Sequence, residues 1–266
     1  MSTKRVRLVK LNNFPLFSTI SWLGMLALYL PLMVVIFYSF NSNRFVQIWH
    51  GFSVKWYFDV LDNTDISRAL TNSLTVAAAA TVISTVLAIM ATLGMLRLGR
   101  AGSAIAWGLI GAPLIIPEIV LAIGTLSVFL MIKIPLGFTA LVLAHTAFCI
   151  PFAMLPIRAR LQSLDTSPFE AASDLGANEW KIFRHITMPL LAPGILSGAL
   201  LAFAISIDDF IMSFFLAGPG ATTLPVYIFG MIRSNLTPAI NALSTMLLVF
   251  SGVMLSLSFM LNRVRR

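Results

Sequence analysis

Charged residues are spaced in this sequence so that long stretches contain none. The runs 11–43, 69–96, 101–117, 119–132, 134–157, 185–207, 210–232 and 234–262 carry no Lys, Arg, Asp or Glu. A helix needs about 20 apolar residues to cross ~30 Å of hydrocarbon. Only helices and closed barrels satisfy every backbone N–H and C=O in that medium. Runs of this length therefore read as membrane helices. The 266-residue chain is 58% apolar and only 11% charged, against about 25% charged in soluble domains. It could not cover a globule of its own size with polar surface. Its single cysteine, Cys149, lies inside an apolar run, which excludes a disulfide scaffold.

The runs resolve into six helices, near 18–40, 70–96, 104–131, 136–157, 190–216 and 239–262. The stretch 101–132 is one span interrupted by Glu118, because neither half crosses alone. The runs flanking Asp208 and Asp209 share one helix. Within 210–232, Gly218-Pro219-Gly220 and Pro225 read as a turn and loop. The apolar core of the first helix, about 30 residues, is too long for the ~7–15 residue core of a cleaved signal, so it counts as a membrane helix.

An even number of spans puts both termini on one side. If that side is cytoplasmic, the inside holds Lys4, Arg5, Arg7, Lys10, Arg97, Arg100, Arg158, Arg160, Lys181, Arg184, Arg263, Arg265 and Arg266. The outside keeps only Arg44, Lys55, Arg68, Lys133 and Arg233. Short cytoplasmic loops carry the Lys/Arg excess, so the termini are expected in the cytoplasm. The net charge of +8 sits as collars at helix ends and not as one stripe, which argues against nucleic acid.

The loop between helices four and five, 158–189, is longer than a bundle needs. Ser167-Pro168-Phe169-Glu170 has the form of a capping box, with Ser167 as N-cap and Pro168 at the first helical position. A short helix then runs to Leu175 and Gly176 turns it. A second short helix, roughly 178–185, leads back to the membrane, where Met188-Pro189 begins the next span. This two-helix elbow shows Phe169, Leu175, Trp180 and Phe183 to the cytosol. Glu179 reads as a solvated charge. From the residues alone, the elbow is either an amphipathic loop lying on lipid or a docking element.

The second feature is a set of acids within the spans: Glu118, Asp208 and Asp209. Ionisable residues there are rare and mark function by default. Pro113 and Pro117 each remove a backbone donor, so helix three is bent or broken around Glu118. Adjacent helical positions differ by about 100°. Asp209 shares a face with Ser206, Ser213 and Ala202, which makes it the pore-lining candidate, while Asp208 turns toward the bundle or outer mouth. No basic residue lies at comparable depth. Either a partner subunit neutralises these acids, or they are protonated, or they line a path for a cation whose lost hydration a carboxylate replaces. An anion would call for basic or donor-rich linings. Trp49, Trp56 and Tyr57 in the outer segment are either interfacial belt residues or ring faces for an ammonium group. Tyr29 is either a further ring face for an ammonium group or simply packed, and His145 reads as a satisfied buried imidazole. Pro151 allows hinging, while Pro156 and Pro193-Gly194 either hinge or trim helix ends.

Glu170-Ala171-Ala172, three residues, Gly176, nine residues, Ile186, one residue, Met188-Pro189 resembles the E-A-A-x3-G-x9-I-x-L-P signature of ABC importer permeases, with Met188 where Leu is usual. Several further passages resemble the spermidine/putrescine branch of that family. They are Tyr38-Ser39-Phe40-Asn41, Lys55-Trp56-Tyr57, Leu164-Asp165, Ser206-Ile207-Asp208-Asp209-Phe210, the passage from Gly218 to Pro225, and Ile240-Asn241-Ala242-Leu243. The resemblance implies an all-α membrane protein with six transmembrane helices in the type I ABC importer permease fold. It implies segments 1–67 (first helix and outer loop), 68–262 (the transmembrane domain) and 263–266 (a basic tail). It also implies a coupling helix in which Glu170, Ala171, Ala172 and Gly176 meet an ATPase, and a polyamine path faced by Trp56, Glu118, Ser206, Asp208 and Asp209.

The expected setting is the bacterial inner membrane. The expected partners are a second homologous permease subunit, two ATPase subunits, a periplasmic substrate-binding protein and the lipid bilayer. No Gly-Lys dipeptide exists for a phosphate-binding loop, no Cys/His cluster has metal spacing, and no nucleophile stands beside a base. The chain is therefore not expected to be an enzyme or to hold a cofactor of its own; ATP and Mg belong to the partner ATPase. The rival readings are the same architecture carrying another organic cation, and a self-powered secondary transporter using the acids as a proton relay.

Overall fold

The computed structural model describes residues 15–45, 48–234 and 237–264, with side chains over 18–45, 48–234 and 237–251. The basic residues Lys4, Arg5, Arg7, Lys10, Arg265 and Arg266 lie outside the described residues, as does the side chain of Arg263. Every regular element described is helical. The chain divides into two units, Thr64–Gly230 and Met1–Asn63 with Met231–Arg266.

In the split unit, α1 (Pro15–Ser39) runs 25 residues straight through Pro31. Residues 18–34 are exposed all round, with Trp22, Leu28 and Tyr29 more than half accessible, and only the end of the helix at Ser39 is buried. So long an apolar stretch with no buried face requires lipid or another apolar surface around it. Tyr29 is thus not packed within its own unit. The outer segment contains a short helix, α2 (Lys55–Leu61). It is tied back by a knot around Asn41, which is fully buried. The Asn41 side-chain amide donates to the carbonyls of Ile48 (2.8 Å) and Phe45 (3.3 Å), and its Oδ1 accepts from the N–H groups of His50 (3.1 Å) and Asn43 (3.2 Å).

The unit Thr64–Gly230 is built on three helices, α3 (Thr64–Gly94), α6 (Phe138–Gln162) and α9 (Met188–Asp208). Small residues let them approach: Ala77, Ala80, Ser84 and Ala88 on α3, and Ala140, Ala144, Cys149 and Ala153 on α6, are all buried. In a bilayer, where apolar burial gives no drive, close backbone approach supplies the attraction. The α9 face against α6 is Gly194, Gly198 and Ala202, one helical turn apart. A Cβ on Gly194 would stand 2.6 Å from the Arg160 Cβ, and one on Gly198 would overlap the Ala153 carbonyl. Cys149 Sγ donates to the Ala202 carbonyl at 3.5 Å, and Arg160 Nε to that of Leu190 at 2.9 Å. Pro151, Pro156 and Pro193 all lie inside continuous helices, so they trim no helix end.

Helix three is broken as its prolines predict. It comprises α4 (Arg100–Ile110), a tight turn at Ala112–Leu114, and α5 (Glu118–Met131). Helix five differs from expectation. It does not run unbroken from 190 to 216, but stops at Asp208, leaves Asp209 extended (φ −65°, ψ 116°), and resumes as α10 (Ile211–Leu216) after Phe210. The elbow contains one separate helix, α7 (Ser167–Asp174). The expected second short helix is instead continuous with helix five. α8 (Glu179–Ile182) passes through a widened π-turn, Phe183–Thr187, directly into α9. The wider turn admits Pro189 without a break. The region after the Gly218-Pro219-Gly220 turn is also helical, as α11 (Leu224–Ser234), with Pro225 near its start, where its missing N–H costs nothing. α12 (Pro238–Val264) completes the order. Among the described residues four helical stretches, Ser18–Ser39, Thr64–Arg97, Phe138–Gln162 and Glu179–Asp208, are long and apolar enough to cross a membrane; Glu118–Met131 and Pro238–Ser251 are shorter apolar stretches.

Candidate functional site: an acid pair at two helix breaks and an exposed elbow

The two breaks bring Glu118 and Asp209 together. Glu118 is the first residue of α5, where the helix dipole favours a carboxylate. Asp209 follows the last residue of α9, and its Oδ1 accepts the Ser213 N–H of α10 at 3.2 Å. An aspartate that offers its own oxygen to an N–H four residues on competes with the backbone, which explains a break where the sequence has neither Gly nor Pro. Asp209 is 6% exposed, and its Oδ2 has no hydrogen-bond donor. The Glu118 carboxyl lies close enough to interact with it electrostatically. Among the described residues no Lys, Arg or His forms an ion pair with Glu118, Asp208 or Asp209.

The other expected path residues fall differently. Asp208 is exposed beside the break. Ser206 is buried, and its Oγ is 2.8 Å from His145 Nδ1. Nε2 of the same imidazole is 3.2 Å from Ser213 Oγ. His145 is thus a satisfied buried imidazole, as expected, but it bonds to both sides of the break in helix five. Trp56 belongs to the other unit, where its indole N–H donates to the Asn41 carbonyl at 2.7 Å and Lys55 Nζ stands 5.8 Å from its ring centroid. Tyr57 meets Ser39, hydroxyl to hydroxyl, at 2.6 Å. The two sequence passages Tyr38–Asn41 and Lys55–Tyr57 are therefore joined as one hydrogen-bonded knot.

The elbow starts one residue earlier than the capping box predicts. Thr166 is the N-cap, Ser167 is already helical, and no Ser167 or Glu170 side chain closes a box. Asp165 performs that role instead: its Oδ1 accepts the Ser167 N–H at 3.2 Å and its Oδ2 the Ser167 hydroxyl at 2.7 Å. The Ser167 hydroxyl, followed by its N–H, holds the Asp165 carboxyl below its ordinary pKa of 3.8. At the other end Gly176 adopts φ +74°. Its N–H reaches the Ser173 carbonyl (2.9 Å) and that of Ala177 the Ala172 carbonyl (3.0 Å), the paired bonds of a Schellman stop. Asn178 then caps α8 by accepting the Lys181 N–H at 2.9 Å. Glu170 and Ala171 are exposed and Ala172 is half-buried. Leu175 and Trp180 are 88% and 65% accessible, while Phe169 and Phe183 are half-buried. Glu179 is not a lone solvated charge: its Oε2 pairs with Arg97 at 2.7 Å. That bond puts the 97–100 turn and the elbow on one face, where the positive-inside count puts both.

Residues 83–266 match the family described as the inner membrane component of binding-protein-dependent transport systems. The putrescine transport system permease protein PotI of Escherichia coli K12 is 37% identical over 255 residues, covering 91% of each chain. The spermidine/putrescine transport system permease protein PotC of the same organism is 37% identical over 236 residues, covering 89% of each. In three dimensions the chain is similar to one from a bacterial ABC transporter involved in import of the acidic polysaccharide alginate. The TM-score is 0.68, with 13% identity and 93% and 94% of the two chains covered; this likeness speaks to the fold alone. Motif, fold and sequence agree: the chain belongs to the family of inner membrane components of binding-protein-dependent transport systems.

Proposed function

We propose that this protein is a permease subunit of an ATP-driven importer that moves putrescine, spermidine or both across the bacterial inner membrane. The observation that carries the cargo assignment is the Glu118–Asp209 pair, two carboxyls brought together at paired helix breaks with no ion-paired Lys, Arg or His among the described residues. Two like charges held together away from bulk water repel each other. An ammonium between them reverses that sign and offers its hydrogens to lone pairs such as those of Asp209 Oδ2. Broken helices at membrane depth are tolerated where they line a cavity, and transporters place substrate at such breaks. Asp208, exposed beside the break, supplies a further carboxylate on the approach. Ser206 supports the break through His145, and Trp56 is the aromatic candidate from the outer segment.

The chain crosses the membrane six times with its termini in the cytoplasm, and the elbow is the coupling element. Glu170, Ala171, Ala172 and Gly176 present a short, small-residue helix with Leu175 and Trp180 open beside it, suited to a groove in an ATPase subunit. ATP and Mg are bound there and not in this chain. The complete importer contains a second homologous permease, two ATPase subunits and a periplasmic binding protein. Closure of the ATPases draws the elbows together and turns the acid pair from one side to the other. Asp209→Asn in the reconstituted importer tests the path: putrescine uptake should fall at least tenfold while the subunits still co-purify. Wild-type uptake would remove Asp209 from the path.

A further inference from the structure

His145 sits on α6, which is itself unbroken, and both its ring nitrogens are committed to the broken helix five. Nδ1 is 2.8 Å from Ser206 Oγ on α9 and Nε2 is 3.2 Å from Ser213 Oγ on α10. These serines lie on either side of the extended residue Asp209. Ser213 has a double role, because its backbone N–H also holds Asp209 Oδ1 at 3.2 Å. The imidazole is thus linked to the carboxyl through Ser213, by one hydrogen bond to its Oγ and another from its backbone N–H. His145, Ser206 and Ser213 are all at most 3% exposed, so water does not compete for these bonds. A rigid ring between two serines spaces them as a strut would, and that spacing fixes how far α10 swings from α9. It therefore fixes the direction in which Asp209 Oδ2 points.

We propose that His145 is a positioning residue for cargo: its two nitrogens set the break in helix five and so aim the Asp209 carboxyl. The inference rests on reading Asp209 as part of the cation path. A histidine that only fills the core would be replaceable by either amide residue with similar effect; a strut is not. Asparagine places its amide near the Nδ1 position and keeps the Ser206 bond alone. Glutamine reaches the Nε2 position and keeps the Ser213 bond, the one connected to Asp209.

The test uses the complete importer reconstituted with its ATPase and binding-protein partners, with labelled putrescine as probe. Loss of one buried hydrogen bond corresponds to roughly a tenfold change. His145→Asn should raise the apparent KM for putrescine about tenfold with maximal rate and assembly little altered. His145→Gln should recover most of that loss. Ser213→Ala, which removes the His145 bond from the serine side and leaves the backbone N–H on Asp209, should reproduce the asparagine phenotype. Equal KM in the two His145 variants overturns the proposal, as does a loss confined to assembly. Asp209→Asn separates the layers. If that variant transports normally, the path reading itself fails; if it fails while both His145 variants keep the wild-type KM, only the positioning role is lost.

Discussion

Replacing Gly176 probes whether the elbow is shaped by backbone conformation or by the surface it offers. The residue stands at φ +74° with open space where a Cβ would go, so the cost of alanine is conformational and not steric. An L-residue in the left-handed region costs about 1–2 kcal/mol. Restriction of the unfolded chain returns about 0.4–1 kcal/mol of that. The net is about 1 kcal/mol, a factor of roughly five in the population of the closed Schellman turn. That matters because α7 is only eight residues long, and a helix so short has little stability of its own. Asparagine tolerates the conformation better than alanine, and a β-branched residue tolerates it worst. ATPase retention during purification should therefore rank Gly, Asn, Ala, Val. Hydrogen exchange of the Ala177 amide, bonded to the Ala172 carbonyl at 3.0 Å, should rise in the same order. If asparagine loses as much ATPase as alanine, or the Ala177 amide stays protected while binding is lost, the backbone argument is wrong. Crowding at the docked surface would then be the cause.

Gly198→Ala should lower the melting temperature of the purified complex, since its Cβ overlaps the Ala153 carbonyl and overpacking costs about 1–3 kcal/mol. Gly124→Ala, with open space around it, serves as the control; equal melting of the two would refute close approach of α6 and α9. At the start of the elbow, the depressed Asp165 pKa means that its contribution is complete above the ordinary value of 3.8 and is lost as pH falls through the lowered folded value. Exchange of the Ser167 amide, corrected for intrinsic rate, should accelerate in that acid window and lose this dependence in Asp165→Asn. An acid loss that survives the substitution points to another group.

What was legible in the sequence followed from local chemistry. Pro113 and Pro117 announce the break before Glu118, because each lacks an N–H. Gly176 announces the end of α7, because the turn needs a residue free of Cβ strain. The break at Asp209 was not legible, since it comes from a side chain out-competing the helix and leaves no Gly or Pro as a mark. The N-cap moved from Ser167 to Thr166, and the side-chain acceptor is the preceding Asp165, whose carboxylate takes both the Ser167 N–H and its hydroxyl. Glu179 found Arg97, and His145 found Ser206 and Ser213, across distances in sequence that local patterns cannot bridge. The Gly194, Gly198, Ala202 spacing was the one overlooked signal: small residues at four-residue intervals predict close approach of helices. The knot that engages Trp56 and Tyr57 depends on Asn41, a polar residue at the end of an apolar run that reads as an ordinary stop.

The continuity of Glu179–Asp208 through its π-turn has a mechanical consequence. Thirty residues at about 1.5 Å each make a bar of roughly 45 Å, with no slack loop along it. It is seated against α6 at Gly194 and Gly198, near the middle of its length, where the backbones touch and neither can slide without collision. Contacts to α6 continue along the bar at Leu190, Ala202 and Ser206. A push at Trp180 therefore meets no slack segment that could absorb it before it reaches Asp209.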